Sequence, residues 1–331
     1  MLIKDTINTI VTHANCPDGK ASAMILKKVY PNAEVKFITH NSKEHTEMEP
    51  TPGIIFCDFS PHPSIAQRFV EAGSYVLDHH KYAKDVVEAF GERGVYADEV
   101  NEPGVSGAVL AFREVYLPWA KENGSGKNEI NRLKEFVTLV GIRDCWLENN
   151  PAFRTACEQS SMMHFYDEQY LLDQGEIYKS DLKLGKYLYK RDLARAKETA
   201  EKKLIIRDKI AVMCGTDTSD VAGIAADIHG IDILAGFKIV IEEGNAKVVV
   251  SMRSRGETDV GVIAKANGGG GHKHAAGFSF DLNTSKNYYG TLIDVVFSKI
   301  EEHIHYVGPD WIKVGAVLII QIRKIIKRFF C

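Results

Sequence analysis

An α/β fold in two parts follows from three observations. Up to about residue 160, short apolar strand-like runs alternate with helix-favouring segments, the pattern of a largely parallel sheet flanked by helices. Residues 164–206 are polar and mostly helix-favouring, with periodic Tyr and Leu, and read as a helical connector or, alternatively, a third helical subdomain. From 207 to 308, β-type runs and helical segments return, which predicts a smaller second α/β domain. The expected parts are therefore 1–163, 164–206 and 207–308, followed by a basic amphipathic tail at 309–331.

Taken in order, strands are expected at 7–12, 34–39, 54–57 and 75–77, where β-branched and aromatic residues run between breakers. Residues 19–30 predict a helix with Ala21, Met24, Ile25 and Val29 inward. Its N-terminus would lie beside Asp18 and His13, and a helix N-terminus favours bound anions. The apolar run at 136–142 reads as a further strand that leads through Arg143 to Asp144. In the second part a strand at 209–214 and a helix at 220–228 precede two β-type runs, 233–241 and 247–252, joined by the turn Glu243-Gly244-Asn245. The tail places Leu318, Ile322, Ile325, Ile326 and Phe329 on one helical face, with Arg323, Lys324, Lys327 and Arg328 largely elsewhere. It is too short and too charged to span a bilayer. A helix docked on the body or on a second copy of the chain is expected, with contact at a membrane surface as the sharper alternative.

The chemistry concentrates where apolar runs end. Tyr75-Val76-Leu77 leads directly into Asp78-His79-His80. Carboxylate and imidazole at the exit of a buried strand are costly to desolvate unless paired, hydrogen-bonded or bound to a cation. The pattern recurs: Thr9 to Thr12 leads to His13 and then Asp18, Ile54 to Cys57 leads to Asp58, and the 136–142 run leads to Asp144. A single such Asp is more commonly a helix cap. In an open α/β sheet, however, the carboxyl ends of parallel strands share one edge, so residues from several strand ends can converge.

Composition bounds the function classes. A chain of 331 residues with 45% hydrophobic residues can bury two cores, and a net charge of −3 excludes a globally basic nucleic-acid binder. A local basic cleft suffices for a short oligonucleotide, which carries few phosphates. The six cysteines, Cys16, Cys57, Cys145, Cys157, Cys214 and Cys331, show neither a C-x-x-C pair nor a disulfide framework. Reduced thiols and a cytoplasmic location are expected, and the early charges at Lys4 and Asp5 do not suit a signal peptide.

The strand-end set resembles the DHH phosphoesterase superfamily. Further along, Ser251-Met252-Arg253-Ser254-Arg255, Asp259-Val260 and Gly268-Gly269-Gly270-Gly271-His272-Lys273-His274-Ala275-Ala276-Gly277 resemble the companion DHHA1 domain of the oligoribonuclease and pAp-phosphatase branch. A Gly tetrad alone is commonly a flexible loop; joined to Ser-x-Arg-Ser and placed after Asp-His-His it is specific. The resemblance implies a metal-dependent phosphodiesterase with exonuclease activity on short oligonucleotides, or on pAp-type nucleotides, with substrate held in a cleft between the domains. It implies a two-ion site, Mn²⁺ first and Mg²⁺, Co²⁺ or Zn²⁺ as alternatives. Asp58 would bridge, Asp18, His79 and Asp144 would complete the second ion's shell, and His13 would serve the first. Asp78 would orient His79 or the loop, and His80 would face the phosphate. Arg253, Arg255, Gly269, Gly270, Gly271 and His272 would bind substrate, although Arg253 also suits a solvated strand position and His274 a satisfied core histidine.

The first motif departs from the pattern. The branch usually carries His-x-x-x-Asp-x-Asp; here Cys16 stands in place of the first Asp, Asn15 beside it, and His13 lies one residue closer. Four arrangements stay open: a Cys16 thiolate that favours a softer ion, an Asn15 carbonyl oxygen, a loose site completed by substrate, or a single tightly held ion. A nucleophilic role for Cys16 is a further alternative. Partners are expected to be short single-stranded RNA or DNA or small nucleotides, with no long duplex and with a homodimer as an option. Cyclic-dinucleotide hydrolysis, a RecJ-like single-strand exonuclease and a catalytically weakened nucleotide-binding regulator are the competing functions.

Overall fold

The computed structural model describes residues 6–175, 177, 179–216, 218–242, 245–282 and 292–304. They form two compact units divided after Lys203.

In the first unit, β1 (Thr9–His13), α1 (Pro17–Val29), β2 (Glu34–Ile38), α2 (Lys43–Glu47), β3 (Ile54–Cys57), α3 (Ala66–Glu71), β4 (Tyr75–Asp78), α4 (Lys84–Glu88) and β5 (Gly94–Tyr96) alternate. All neighbouring strands are parallel, in the order β2-β1-β3-β4-β5. Both faces are covered, so the central strands read as unbroken apolar runs instead of alternating ones. Successive side chains enter opposite cores: Ile10, Ile55, Cys57 and Leu77 on one face, Val11, Ile54, Phe56 and Val76 on the other. Each such fully buried side chain contributes about 1.5–3 kcal/mol.

Helices then close the first face. α5 (Gly107–Leu110) runs through a π-helical stretch, Ala111–Tyr116, into α6 (Leu117–Glu122), followed by α7 (Lys127–Asp144), α8 (Phe153–Phe165), α9 (Glu168–Gln174) and α10 (Lys179–Lys202). The helices over residues 168–202, in the segment read from sequence as a connector, lie within this first unit.

One strand expectation is corrected. The run at 136–142 lies inside the 18-residue helix α7, so Asp144 ends a helix and not a strand. Phe136, Val137, Val140 and Gly141 recur at helical spacing on one buried face, and in a fully buried stretch that period and an apolar run look alike. The predicted helix at 19–30 starts at Pro17, which puts Asp18 within its first turn.

The second unit is built from β6 (Ile205–Arg207), β7 (Ile210–Cys214), α11 (Ser219–His229), β8 (Ile233–Glu242), β9 (Asn245–Ser254), α12 (Val260–Ala266), β10 (Gly270–Gly271), β11 (Ala275–Asp281) and α13 (Leu292–Ile304). Its six-stranded mixed sheet has the order β10-β11-β9-β8-β7-β6 around its own apolar core. Residues 243 and 244 of the expected turn and the whole amphipathic tail lie outside the described residues. Among the described residues no helix is long and apolar enough to cross a membrane.

Candidate metal centre

The strand order reverses between β1 and β3, and an open α/β sheet binds ligands at the carboxyl ends beside such a switch point. His13 ends β1, Asp58 follows β3, and Asp78-His79-His80 ends β4. The Asp58 N–H donates to Leu77 O at 3.1 Å, which draws the last two strand ends together. Asp58 itself adopts a left-handed φ of 58°, a conformation that a short Asx side chain tolerates and that turns the chain sharply after the strand.

His79 stands at the middle. Its Nε2 lies 3.2 Å from Asp58 Oδ1 and 3.6 Å from both Asp18 Oδ2 and Asp144 Oδ2. Donor atoms within 4.8 Å of one another form three overlapping groups: His13, Cys16 and Asp58; Asp58, His79 and His80; Asp18, His79 and Asp144. The structure thus brings together His13, Asp18, Asp58, His79, His80 and Asp144, six residues singled out from sequence, and adds Cys16. Asn15 is exposed and left-handed (φ 56°), and its N–H donates to Glu168 Oε1 at 3.1 Å.

Several groups that hold this cluster carry no motif. The Asp18 carboxylate accepts from Ser106 Oγ at 2.8 Å, Gly107 N at 2.6 Å and Ala108 N at 2.9 Å. Position 107 has no room for a side chain, since a Cβ there would lie 2.3 Å from Asp58 Cβ. Two thiols tie the same loop down: Cys57 Sγ donates to Gly107 O at 3.2 Å, and Cys145 Sγ to Val105 O at 3.0 Å. The second contact fixes the end of α7 and with it Asp144. Ser106 before an apolar stretch is legible as a helix cap, but nothing in sequence connects it to Asp18.

The electrostatics suit a bound cation. Burial and then Asp18, Cys16 and Asp144 push the Asp58 carboxyl well up. Asp58 is 1% exposed, and its Oδ2 has no hydrogen-bond partner among the described residues. Burial and His80 lower His79, which favours the neutral imidazole that a metal requires. The same two causes bring His13 down to about 4. Burial, Asp144 and Asp18 push the Cys16 thiol up to about 12, which speaks against a free thiolate nucleophile. A carboxylate, imidazole and thiol set of this kind fits a divalent cation, which would relieve the crowding of buried acids.

Asp78 and His80 form a pair beside the centre. Asp78 accepts from Ser60 Oγ at 2.5 Å and faces His80 Nδ1 at 2.7 Å. Against burial, His80 and Ser60 hold the Asp78 carboxyl below the usual range, while Asp78 outweighs burial and raises His80 to about 9. His80 is therefore a cation at neutral pH, its side chain 24% exposed.

In the second unit, Arg253 Nε donates to Ser219 Oγ at 3.1 Å and its Nη1 to Met252 O at 2.8 Å. The Arg255 guanidinium rests against Gly223, 2.8 Å from where a Cβ would stand. Gly269 and Gly271 have no room for a Cβ against β11, whereas Gly270 opens onto free space. His272 closes that turn through backbone bonds with Ala275. His274 pairs through Nδ1 with Ser254 Oγ at 3.0 Å, and Ser254 Oγ donates to Thr258 O. Asp259 caps α12, accepting from Gly261 and Val262.

Residues 208–302 match the family described as the DHHA1 domain. No curated protein sequence matches the chain. RecJ in complex with Mn²⁺ from Thermus thermophilus superposes with a TM-score of 0.52 at 17% identity, over 94% of this chain and 54% of that one. The chain thus spans about half of RecJ, and the likeness is one of fold. A pGpG-specific phosphodiesterase, PggH, from Vibrio cholerae aligns at a TM-score of 0.47 and 14% identity, over 89% of this chain and 99% of that one. An uncharacterized protein from Helicobacter pylori gives 0.41 and 14%, over 90% and 98%. Residues 208–302 thus carry a DHHA1 domain, and the chain as a whole shares its fold with RecJ.

Proposed function

We propose that this chain is a metal-dependent phosphodiesterase that hydrolyses short oligonucleotides, with pAp-type nucleotides as a second substrate class. The observation that carries the reading is the buried Asp58 carboxylate, which sits in donor groups with His13 and Cys16 and with His79 and His80, beside the Asp18, His79 and Asp144 group. In this reading Asp18, Asp58, His79 and Asp144 would hold one divalent ion, for which Mn²⁺ is the best fit, and His13 with Asp58 would hold a second. Bound there, divalent ions would supply an activated water and neutralise phosphate oxygens.

The remaining groups act without the ions. Asp78 orients His80 through Nδ1 and keeps the ring protonated, so His80 presents a positive N–H donor to a phosphate oxygen. Ser106 and the amides of Gly107 and Ala108 hold Asp18 in one orientation, which preorganises the centre. In the second unit Arg253, Arg255 and His272 supply donors for a nucleotide phosphate, and the open backbone at Gly270, between Gly269 and Gly271, permits close approach.

The test is a panel of 5′-labelled RNA and DNA from dinucleotides to strands of about 25 nucleotides, together with pAp and cyclic dinucleotides, each with Mn²⁺, Mg²⁺, Co²⁺ and Zn²⁺. Preferential hydrolysis of dimers to pentamers is expected. Degradation of only the long strands would overturn the reading in favour of a RecJ-like exonuclease. Hydrolysis of only the cyclic compounds would move the substrate class, and binding without turnover under every metal would make the chain a nucleotide-binding regulator.

A further inference from the structure

We infer that the Cys16 sulfur is itself a metal ligand, so that His13, Cys16 and Asp58 form a mixed nitrogen, sulfur and oxygen site that takes a softer ion, Zn²⁺ or Co²⁺, than the neighbouring Asp18, His79 and Asp144 site. The inference deepens the proposed function and rests on its two-ion reading.

Three observations carry it. The first is proximity: one donor atom from each of His13, Cys16 and Asp58 lies within 4.8 Å of the others. The second is how firmly the turn between β1 and α1 holds that proximity. Thr12 Oγ1 donates to Gly19 O at 3.1 Å, and the first turn of α1 rests so closely on β1 that a Cβ at Gly19 would lie 2.2 Å from His13 O. Left-handed Asn15 reverses the chain, Cys16 is extended at the N-cap position, and Pro17 fixes the first helical residue. His13 and Cys16 are thereby locked on the same edge. The third is the orphaned acceptor, Asp58 Oδ2, buried and without a hydrogen-bond partner among the described residues.

The alternatives fit less well. Asn15 is exposed, and its backbone N–H is taken up by Glu168. Cys57 and Cys145 donate their S–H to carbonyl oxygens of Gly107 and Val105. Among the described residues Cys16 makes no such donation. On binding, the thiol would release its proton to solvent and the sulfur lone pair would enter the metal's shell. A thiolate selects softer ions where a carboxylate in its place would suit Mn²⁺ or Mg²⁺.

The experiment is Co²⁺ titration of the metal-free full-length chain, followed by absorption and by stoichiometry. Two equivalents are expected, with a sulfur-to-cobalt charge-transfer band in the near ultraviolet. Cys16→Ser should abolish the band and weaken one equivalent by at least the roughly 10–100-fold that loss of an orienting partner costs, leaving the other bound. Cys16→Asp should also lack the band while retaining both equivalents, and should prefer Mn²⁺ over Zn²⁺ more than the natural chain does. Cys214→Ser, an exposed-thiol control, should keep the band. Two bound equivalents without a charge-transfer band, or a band that survives Cys16→Ser, would overturn the inference and leave the two-ion reading intact. Failure to bind any Co²⁺ in the natural chain would overturn both.

Discussion

Asp78 shows how a motif residue can work one step behind the chemistry. It sits in the Asp-His-His triplet yet belongs to none of the donor groups; its carboxylate is taken up by Ser60, the His80 backbone and the His80 ring. The pair has a pH signature. His80, raised to about 9 by Asp78 against burial, contributes stability that is complete below its unfolded value near 6.5 and is lost as pH rises through 9. Asp78, held low by His80 and Ser60 against burial, contributes stability that is complete above the ordinary carboxylate range and is lost as pH falls below that range toward the folded value. Asp78→Asn is therefore expected to destabilise the metal-free protein by about 1–3 kcal/mol near pH 6, with the difference closing as pH rises through the folded value of His80 and again as pH falls below the ordinary carboxylate range. Thermal melts of EDTA-treated natural and variant chains across that range measure it. A difference that grows with pH would contradict the pairing.

At the scale of elements, the centre depends on one short helix that no motif announces. The start of α5 lies against both Asp18 and Asp58, and the absence of a side chain at Gly107 permits that approach. Gly107→Ala is expected to force the loop off Asp58, at a cost of about 1–3 kcal/mol in stability, and to weaken divalent-ion binding more than Gly270→Ala, where space is open. Denaturant melts and metal titration of the two variants provide the comparison; equal metal affinity in both would refute the role given to α5. Apolar residues at 136–142 predicted a strand because a fully buried segment loses its polar face, and periodicity then cannot separate helix from strand. Helix α7 still delivers Asp144 to the same edge, through the Cys145 contact with Val105.

Over the whole molecule, the two units have separate cores. Among the described residues the donor groups all lie in the first unit, and the residues that match the DHHA1 domain lie in the second. Calorimetry of the full chain is therefore expected to resolve two transitions, only one of which moves with metal. A cation at a hundred times its dissociation constant adds about 2.7 kcal/mol, which for a unit of this size raises its midpoint by about 5–10 °C. Equal shifts in both transitions would show that binding is not confined to the first unit, and no shift in either would refute the metal centre.

The parallel α/β pattern, the second sheet unit and the residue types at the strand ends were legible in the chain, because local periodicity and breakers encode elements, and ligand-type residues stand out after apolar runs. Which of those residues meet, and what supports them, depends on contacts across long stretches of chain. Ser106 to Ala108 reach Asp18 from about 90 residues away, and Cys145 ties α7 to a loop 40 residues earlier. Local patterns carry no record of such contacts, since they arise only when helices pack on the sheet. The same packing places the Cys16 sulfur within reach of His13 and Asp58 and leaves Asn15 exposed, a juxtaposition that the spacing of the motif did not contain.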